Sequence, residues 1–161
     1  ANNYGNLCQR VFSFIKNNCQ NKVNKSKKLS DSDKKLLEKT KVLTKNLRNE
    51  MNNQNLNNYL KLVINISFLT NKYINDEEPW KLKKTNVEKM NNILHISLEQ
   101  IAKISILLNP VIPKATKKVL DALNINESLR NLSFIDGKNI IGDEIRISEL
   151  NILFKKLSND H

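Results

Sequence analysis

Apolar residues recur at spacings of three and four along most of the first 124 residues, the period of helices that each bury one face. The first such segment runs to about Asn18. Its apolar face is formed by Tyr4, Leu7, Val11, Phe14 and Ile15. Asn6 and Arg10 fall on a different face of this helix, one turn apart.

The next two segments show the same period and predict a second and a third helix. Ser30 can cap the second helix, with Asp33 placed three residues later as in a capping box. The predicted buried stripe of the second helix is Leu36, Leu43, Leu47 and Met51. The stripe of the third is Leu56, Leu60, Val63, Ile64, Ser67, Thr70 and Ile74, with the helix ending near Asp76.

A fourth helix, capped by Asn86, has apolar residues on nearly every side and is predicted to be central and buried. His95 lies within it and is interpreted as a hydrogen-bonded core histidine, because no partner residue suggests catalysis. Pro113 can begin a short fifth helix. We therefore predict an all-α fold, an antiparallel bundle of about five helices.

The predicted single domain covers residues 1–161, with the bundle over about 1–124 and a short irregular extension over about 125–161. Within the extension, Gly137 belongs to a predicted turn, and a short helix is possible around Ser148–Leu157. The segment Asn17–Lys28 lacks apolar periodicity and predicts a basic, solvated loop that could contact a phosphate backbone.

The net charge of +11 favours a polyanionic partner, although solvated basic helix faces without any partner would give the same value. Three glycines cannot assemble a phosphate-binding loop, and the two histidines form no metal-binding or catalytic pair. Cys8 and Cys19 are interpreted as reduced core thiols of a cytoplasmic protein. No apolar run is long enough for a membrane span, so we expect no membrane association. The chain alone is expected to be a binding module without metal, cofactor or catalytic residues.

The strongest candidate for a binding surface is the corner that contains the single tryptophan. Trp80 follows Pro79 and an acidic run, and Lys81, Lys83 and Lys84 come immediately after it. An exposed ring beside positive charge suits stacking on a nucleic-acid base, although a lone tryptophan lies as often in a core.

Asn6 and Arg10 add an amide and a guanidinium on one side of the first helix, which together can bind one base edge. Such a pair is also common on exposed helices, so it gains weight only from its combination with Trp80. Lys81, Lys83, Lys84 and Lys16 are the candidate phosphate contacts, with solvated surface as the alternative for each.

Three motifs in this order resemble those of the anticodon-binding helical domain of bacterial methionyl-tRNA synthetases. They are Gly5-Asn6-Leu7-Cys8-Gln9-Arg10, then Asn71-Lys72-Tyr73 with Pro79-Trp80-Lys81-Leu82-Lys83-Lys84, and finally Leu107-Leu108-Asn109-Pro110-Val111-Ile112-Pro113. The second group also recurs in related class I synthetases, so the first motif is what favours the methionine enzyme.

The resemblance implies roles for the matching residues. Asn6 and Arg10 would read the first anticodon base, a cytosine, and Trp80 would stack on an anticodon base of tRNA(Met). Asn71, Tyr73 and Pro79 would support the site structurally.

The resemblance also implies a parent enzyme that activates methionine with ATP and ligates it to tRNA. The nucleotide-binding signatures of the catalytic half do not occur here, and the sequence begins at Ala1. We therefore expect a piece of a longer protein, with the catalytic domain of the same parent chain as a further partner. The alternatives are the equivalent domain of another class I synthetase and a helical module that docks a protein around Trp80.

Overall fold

The helices of the computed structural model begin and end close to the predicted positions. Residues 2–132 and 139–151 are described, without the side chains of Asn2 and Arg48. The five α-helices are α1 (Asn2–Asn18), α2 (Asp31–Asn52), α3 (Leu56–Glu77), α4 (Val87–Leu108) and α5 (Pro113–Ala122). Two short strands, β1 (Lys22–Asn24) and β2 (Glu144–Arg146), and 3-10 helices over Pro79–Lys81 and Glu127–Leu129 complete the described elements.

Local capping explains where several helices start. The Ser30 hydroxyl accepts the backbone N–H of Asp33, and the Asp33 carboxylate accepts that of Ser30, which is the predicted capping box. Asn86 caps α4 through the N–H of Lys89. Pro113 is the first residue of α5, as predicted.

Long-range hydrogen bonds give the directions of the helices. The Tyr59 hydroxyl at the start of α3 donates to the carbonyl of Leu107 at the end of α4, 2.7 Å away. The Tyr4 hydroxyl at the start of α1 lies 2.6 Å from that of Ser105. Both α1 and α3 therefore run antiparallel to α4, and they lie parallel to each other.

The central position predicted for α4 is confirmed, and several of its polar residues bond neighbouring elements. Gln100 donates to Thr40 of α2 at 2.6 Å and to Thr70 of α3 at 3.3 Å. His95 is 3% exposed and its Nε2 lies 2.7 Å from the carbonyl of Gly142, which confirms the core interpretation. Although α4 is so apolar, no helix in the described ranges has the length and hydropathy needed to cross a membrane.

The described part of the C-terminal extension is more ordered than the predicted irregular segment. Strands β1 and β2 pair antiparallel, with Val23 opposite Ile145, and both side chains are buried. The Glu99 carboxylate accepts the backbone N–H groups of Ile140 and Ile141. Because β1 lies within Asn17–Lys28, the prediction of a loop throughout that segment is wrong at β1. An alternation over three residues is too short to reveal a strand in the sequence.

Residues 133–138 and 152–161, which include Gly137 and most of the helix considered around Ser148–Leu157, lie outside the described residues. Residues 148–151, which are described, are not helical.

Two residues predicted to be buried are exposed instead. Met51 is 45% exposed and Leu56 is 59% exposed. They flank the turn between α2 and α3 at the end of the bundle. Periodicity shows which face of a helix is apolar, but it does not show where the neighbouring helix stops covering that face.

The two cysteines differ in exposure and should differ in reactivity. Cys8 is fully buried, and burial raises the pKa of its thiol far above the usual range. Burial also raises the pKa of the half-buried Cys19, while the nearby charge of Lys83 opposes that shift. Titration with a chromogenic disulfide reagent should therefore modify Cys19 slowly in the folded protein and Cys8 only after unfolding. The variant C19S should show no reactive thiol before denaturant is added, and a rapidly modified native Cys8 would contradict its burial.

Candidate nucleic-acid interface

The turn after α3 holds Trp80 at the surface. Glu78 ends the helix in a left-handed conformation with φ 49° and ψ 59°, and its N–H bonds the carbonyl of Ile74. The buried Pro79 then begins the 3-10 helix, and an ion pair of 2.9 Å links Glu78 to Lys81 across it. The acidic run is thus the end of a helix, as predicted, and the Trp80 ring is left 41% exposed.

Arg10 is fixed in place by two partners. Its guanidinium carbon lies 5.4 Å from the centroid of the Trp80 ring, within the range of a cation–π contact. One of its Nη2 hydrogens is donated to Asn75 Oδ1 of α3 at 2.6 Å. Partial burial lowers the pKa of Arg10, but an arginine remains charged at neutral pH. The structure therefore presents a charged, oriented fork beside an exposed ring.

Asn6 lies one turn before Arg10 on α1 and is exposed. Within the described ranges its amide forms no hydrogen bond. An unpaired amide can serve as both donor and acceptor for a ligand. Asn6 therefore shares the face of α1 from which Arg10 contacts Trp80 and Asn75.

The three residues expected to support the site differ in what they hold. Asn71 of α3 donates to Asn3 Oδ1 of α1 at 2.7 Å, so it joins the two helices on which the site lies. Pro79 is buried beneath the 3-10 helix. Tyr73 donates to the buried Asp33 carboxylate of α2 at 2.6 Å. Burial, together with the bond to Asp33, raises the pKa of Tyr73 far above its usual range.

The four candidate phosphate lysines are not equally available. Lys81 is paired with Glu78, while Lys83 and Lys84 are exposed and form no ion pair with another described residue. Lys16 lies 3.4 Å from Glu149 of the C-terminal extension. It follows Arg10 by six residues, a rotation of about 240° around the helix, so the structure does not bring Lys16 to the Trp80 corner.

Asn75 is the residue of this site that the sequence did not reveal. It follows Asn71 by one turn, but so do many residues on an asparagine-rich helix, and only its contact with Arg10 distinguishes it. Nothing local to α3 indicates that α1 packs against this face.

The geometry suits recognition of a planar, polar ligand more than catalysis. An exposed indole ring, an oriented guanidinium and a free amide can stack on a base and bind its edge. Among the described residues, no three histidine, cysteine or acidic side chains lie close enough to hold a metal ion.

Comparison with known proteins shows which family of domains this chain is similar to. A family model described as the anticodon binding domain of methionyl tRNA ligase matches residues 23–161. A methionine–tRNA ligase of Brucella suis is 30% identical over 142 residues, which are 88% of this chain and 28% of that protein. A methionine–tRNA ligase of Rickettsia felis is 30% identical over 99% of this chain and 32% of its own.

A crystal structure of Mycobacterium tuberculosis methionyl-tRNA synthetase bound by methionyl-adenylate has the same fold. Its TM-score is 0.83 at 24% identity, over 92% of this chain and 30% of that one. The chain thus spans about a third or less of the proteins that it matches.

Proposed function

Because the chain belongs to the family of anticodon-binding domains of methionyl-tRNA ligases, we propose that its Trp80 corner recognises the anticodon of tRNA(Met). The observation that carries this proposal is the fixed position of Arg10 between Trp80 and Asn75. Membership of this family excludes the alternative that the chain is the equivalent domain of another class I synthetase.

The chemistry of the three side chains fits a cytosine as the first anticodon base. Trp80 stacks on a base that is splayed out of the anticodon loop. The Arg10 fork donates to the base O2 and N3, and the Asn6 carbonyl oxygen accepts from the exocyclic N4 amine. Uracil presents an N–H at position 3 and an oxygen at position 4, so it would place donor against donor and acceptor against acceptor. Asn6 and Arg10 thereby select the base, while Trp80 contributes affinity and holds Arg10 in position.

The lysines around this corner engage the phosphates of the loop. Lys83 and Lys84 are exposed and free of ion pairs within the described ranges, so they are the first choice. Lys81 can turn from Glu78 to RNA at little cost, since exposed ion pairs contribute about 0–1 kcal/mol. Lys16 stays a candidate only for a part of the tRNA that reaches the other side of α1.

The parent protein, in this proposal, is a cytoplasmic methionine–tRNA ligase that uses ATP and methionine and transfers the amino acid to tRNA. Its catalytic domain lies elsewhere in the parent chain and is a partner of this domain. The names of the relatives support this assignment.

The fluorescence of Trp80 tests the proposal directly, because it is the single tryptophan in the chain. Adding an anticodon stem-loop with the sequence CAU should quench this emission and saturate, since a stacked base contacts the ring. A stem-loop that binds without changing the emission would contradict stacking by Trp80. A protein-docking module would show no saturable change in emission when this stem-loop is added.

Asn75 should act as a positioning residue for Arg10. The variant N75A removes the 2.6 Å hydrogen bond to the guanidinium and leaves the fork free to rotate. A second stem-loop, UAU, differs from CAU only in the first anticodon base. We expect the preference for CAU over UAU to fall by about 1 kcal/mol, or about fivefold, in anisotropy titrations. N65A, which changes an exposed asparagine of the same helix, is the matched control. An unchanged preference in N75A would show that Arg10 does not depend on Asn75.

A further inference from the structure

A short loop beside the start of α4 is held firmly by its backbone and one serine. This Ser26 loop comprises Lys25–Lys28 and follows β1. The Ser26 side chain is buried, and its hydroxyl donates to Glu88 Oε1 at 2.8 Å. The backbone N–H of Ser26 donates to Asn92 Oδ1 at 3.3 Å. The N–H of Lys25 bonds the carbonyl of Asp143 at 2.6 Å, and that of Lys28 bonds the Ser26 hydroxyl at 3.1 Å. Four hydrogen bonds therefore fix a loop only four residues long.

The three lysines of the Ser26 loop are exposed and carry unneutralised charge. Lys25, Lys27 and Lys28 form no ion pair with any other described residue. Their neighbour Lys22, by contrast, is paired with Glu144 at 3.1 Å. The Glu88 carboxylate, to which the loop is bonded, already accepts the Ser26 hydroxyl. The loop thus concentrates positive charge on a backbone whose ordering cost is met before any ligand binds.

This charge continues the surface that begins at Trp80. Glu88, to which the loop is bonded, lies in the first turn of α4, four residues after the exposed Lys84. Lys83 lies close enough to Cys19, at the end of α1, to influence its pKa. The Trp80 corner, Lys83, Lys84 and the Ser26 loop therefore share the end of the bundle where α1 and α3 end and α4 begins.

We propose that the Ser26 loop binds phosphates of the anticodon stem while Trp80 and Arg10 engage the loop bases. This inference rests on the proposed function. A polyanion with regularly spaced charges is the ligand that three adjacent, unpaired lysines fit, and the RNA held at Trp80 supplies one. The lysines contribute affinity but no base selection, because phosphates carry no sequence information.

The test is the salt dependence of RNA binding by a variant in which all three lysines become glutamine, K25Q/K27Q/K28Q. The slope of log K against log salt concentration should become shallower by about 0.7–0.9 for each phosphate that the variant no longer neutralises. At low salt the affinity for the CAU stem-loop should fall by roughly tenfold or more, while the ratio of CAU to UAU affinity stays unchanged. The control K41Q/K45Q/K114Q removes the same charge from exposed lysines of α2 and α5 and should alter the slope far less.

Two further measurements keep the outcomes distinct. A heptanucleotide with the anticodon sequence but no stem should bind the loop variant almost as well as the unaltered protein. The arginine variant K25R/K27R/K28R should retain binding of the stem-loop. If the unaltered protein selects CAU but the glutamine variant shows the slope of the control, the inference about the Ser26 loop is overturned and the proposed function stands. If the unaltered protein binds no stem-loop, both are overturned.

Discussion

The variant W80A should bind a CAU stem-loop more weakly by about 1–3 kcal/mol, which is roughly 5- to 150-fold. The alanine removes the exposed ring on which the base stacks, and it also removes the surface against which Arg10 is held at 5.4 Å. Preference for CAU over UAU should therefore fall together with affinity. Labelled RNA and anisotropy provide the measurement, because the variant lacks the fluorescent residue.

Two further variants give this experiment its controls. W80F retains a smaller aromatic ring and should lie between W80A and the unaltered protein. V111A truncates a side chain of similar exposure, 42% against 41%, at the opposite end of the bundle and should change nothing. A W80A protein as tight and as selective as the unaltered one would exclude Trp80 from the site.

Arg10 should be coupled to Trp80 in the same assay. R10A alone is expected to reduce discrimination by about 1–3 kcal/mol, because the variant has no edge-binding fork. The double variant W80A/R10A should lose less than the sum of the two single variants, since each side chain positions the other. Additive losses would mean that the two residues act independently, despite their proximity.

The variant D33A should lower the free energy of unfolding by about 3 kcal/mol. The Asp33 carboxylate is buried and accepts the Ser30 N–H, the Tyr73 hydroxyl and the Asn92 amide at 2.6–2.9 Å. Removing it leaves buried donors unsatisfied at about 1–3 kcal/mol each, partly offset by local rearrangement and water entry. Thermal unfolding followed by circular dichroism should show the midpoint falling by about 6–12 °C.

Asp31 provides the matched control for this stability experiment. It lies in the same first turn of α2 but is exposed, and it shares with Asp33 only the favourable interaction with the helix N-terminus. D31A should therefore cost well under about 1 kcal/mol. Equal effects of the two substitutions would mean that the buried bonds to Tyr73 and Asn92 contribute nothing measurable.

The local and long-range bonds of Asp33 show what the sequence can and cannot predict. The capping box of Ser30 and Asp33 is a local pattern, and it placed the start of α2 correctly. The bonds from Asp33 to Tyr73 and Asn92 join residues far apart in the chain, so no spacing announces them. Strand β1 and its pairing with β2 were missed for the same reason, because each strand has only three residues and its partner lies more than a hundred residues away.

Some residues of the candidate site could likewise be predicted from the sequence, and others could not. Asn6 and Arg10 share a helix face through their spacing alone, and Trp80 was conspicuous as the single tryptophan. Their proximity was expected only from the resemblance to a known family, and Asn75 emerged only from its bond to Arg10. Lys16 was grouped with the other lysines by charge, whereas its pairing with Glu149 depends on where the C-terminal extension folds back.

Asn6 and Arg10, in the proposed function, read the first anticodon base beside the Trp80 ring. The most direct test compares the affinities of the unaltered protein for two anticodon stem-loops that differ only in that base, CAU and UAU. We expect tighter binding of CAU by about 1–3 kcal/mol, a difference that R10A reduces. Equal affinity of the unaltered protein for the two loops would contradict this role of Asn6 and Arg10.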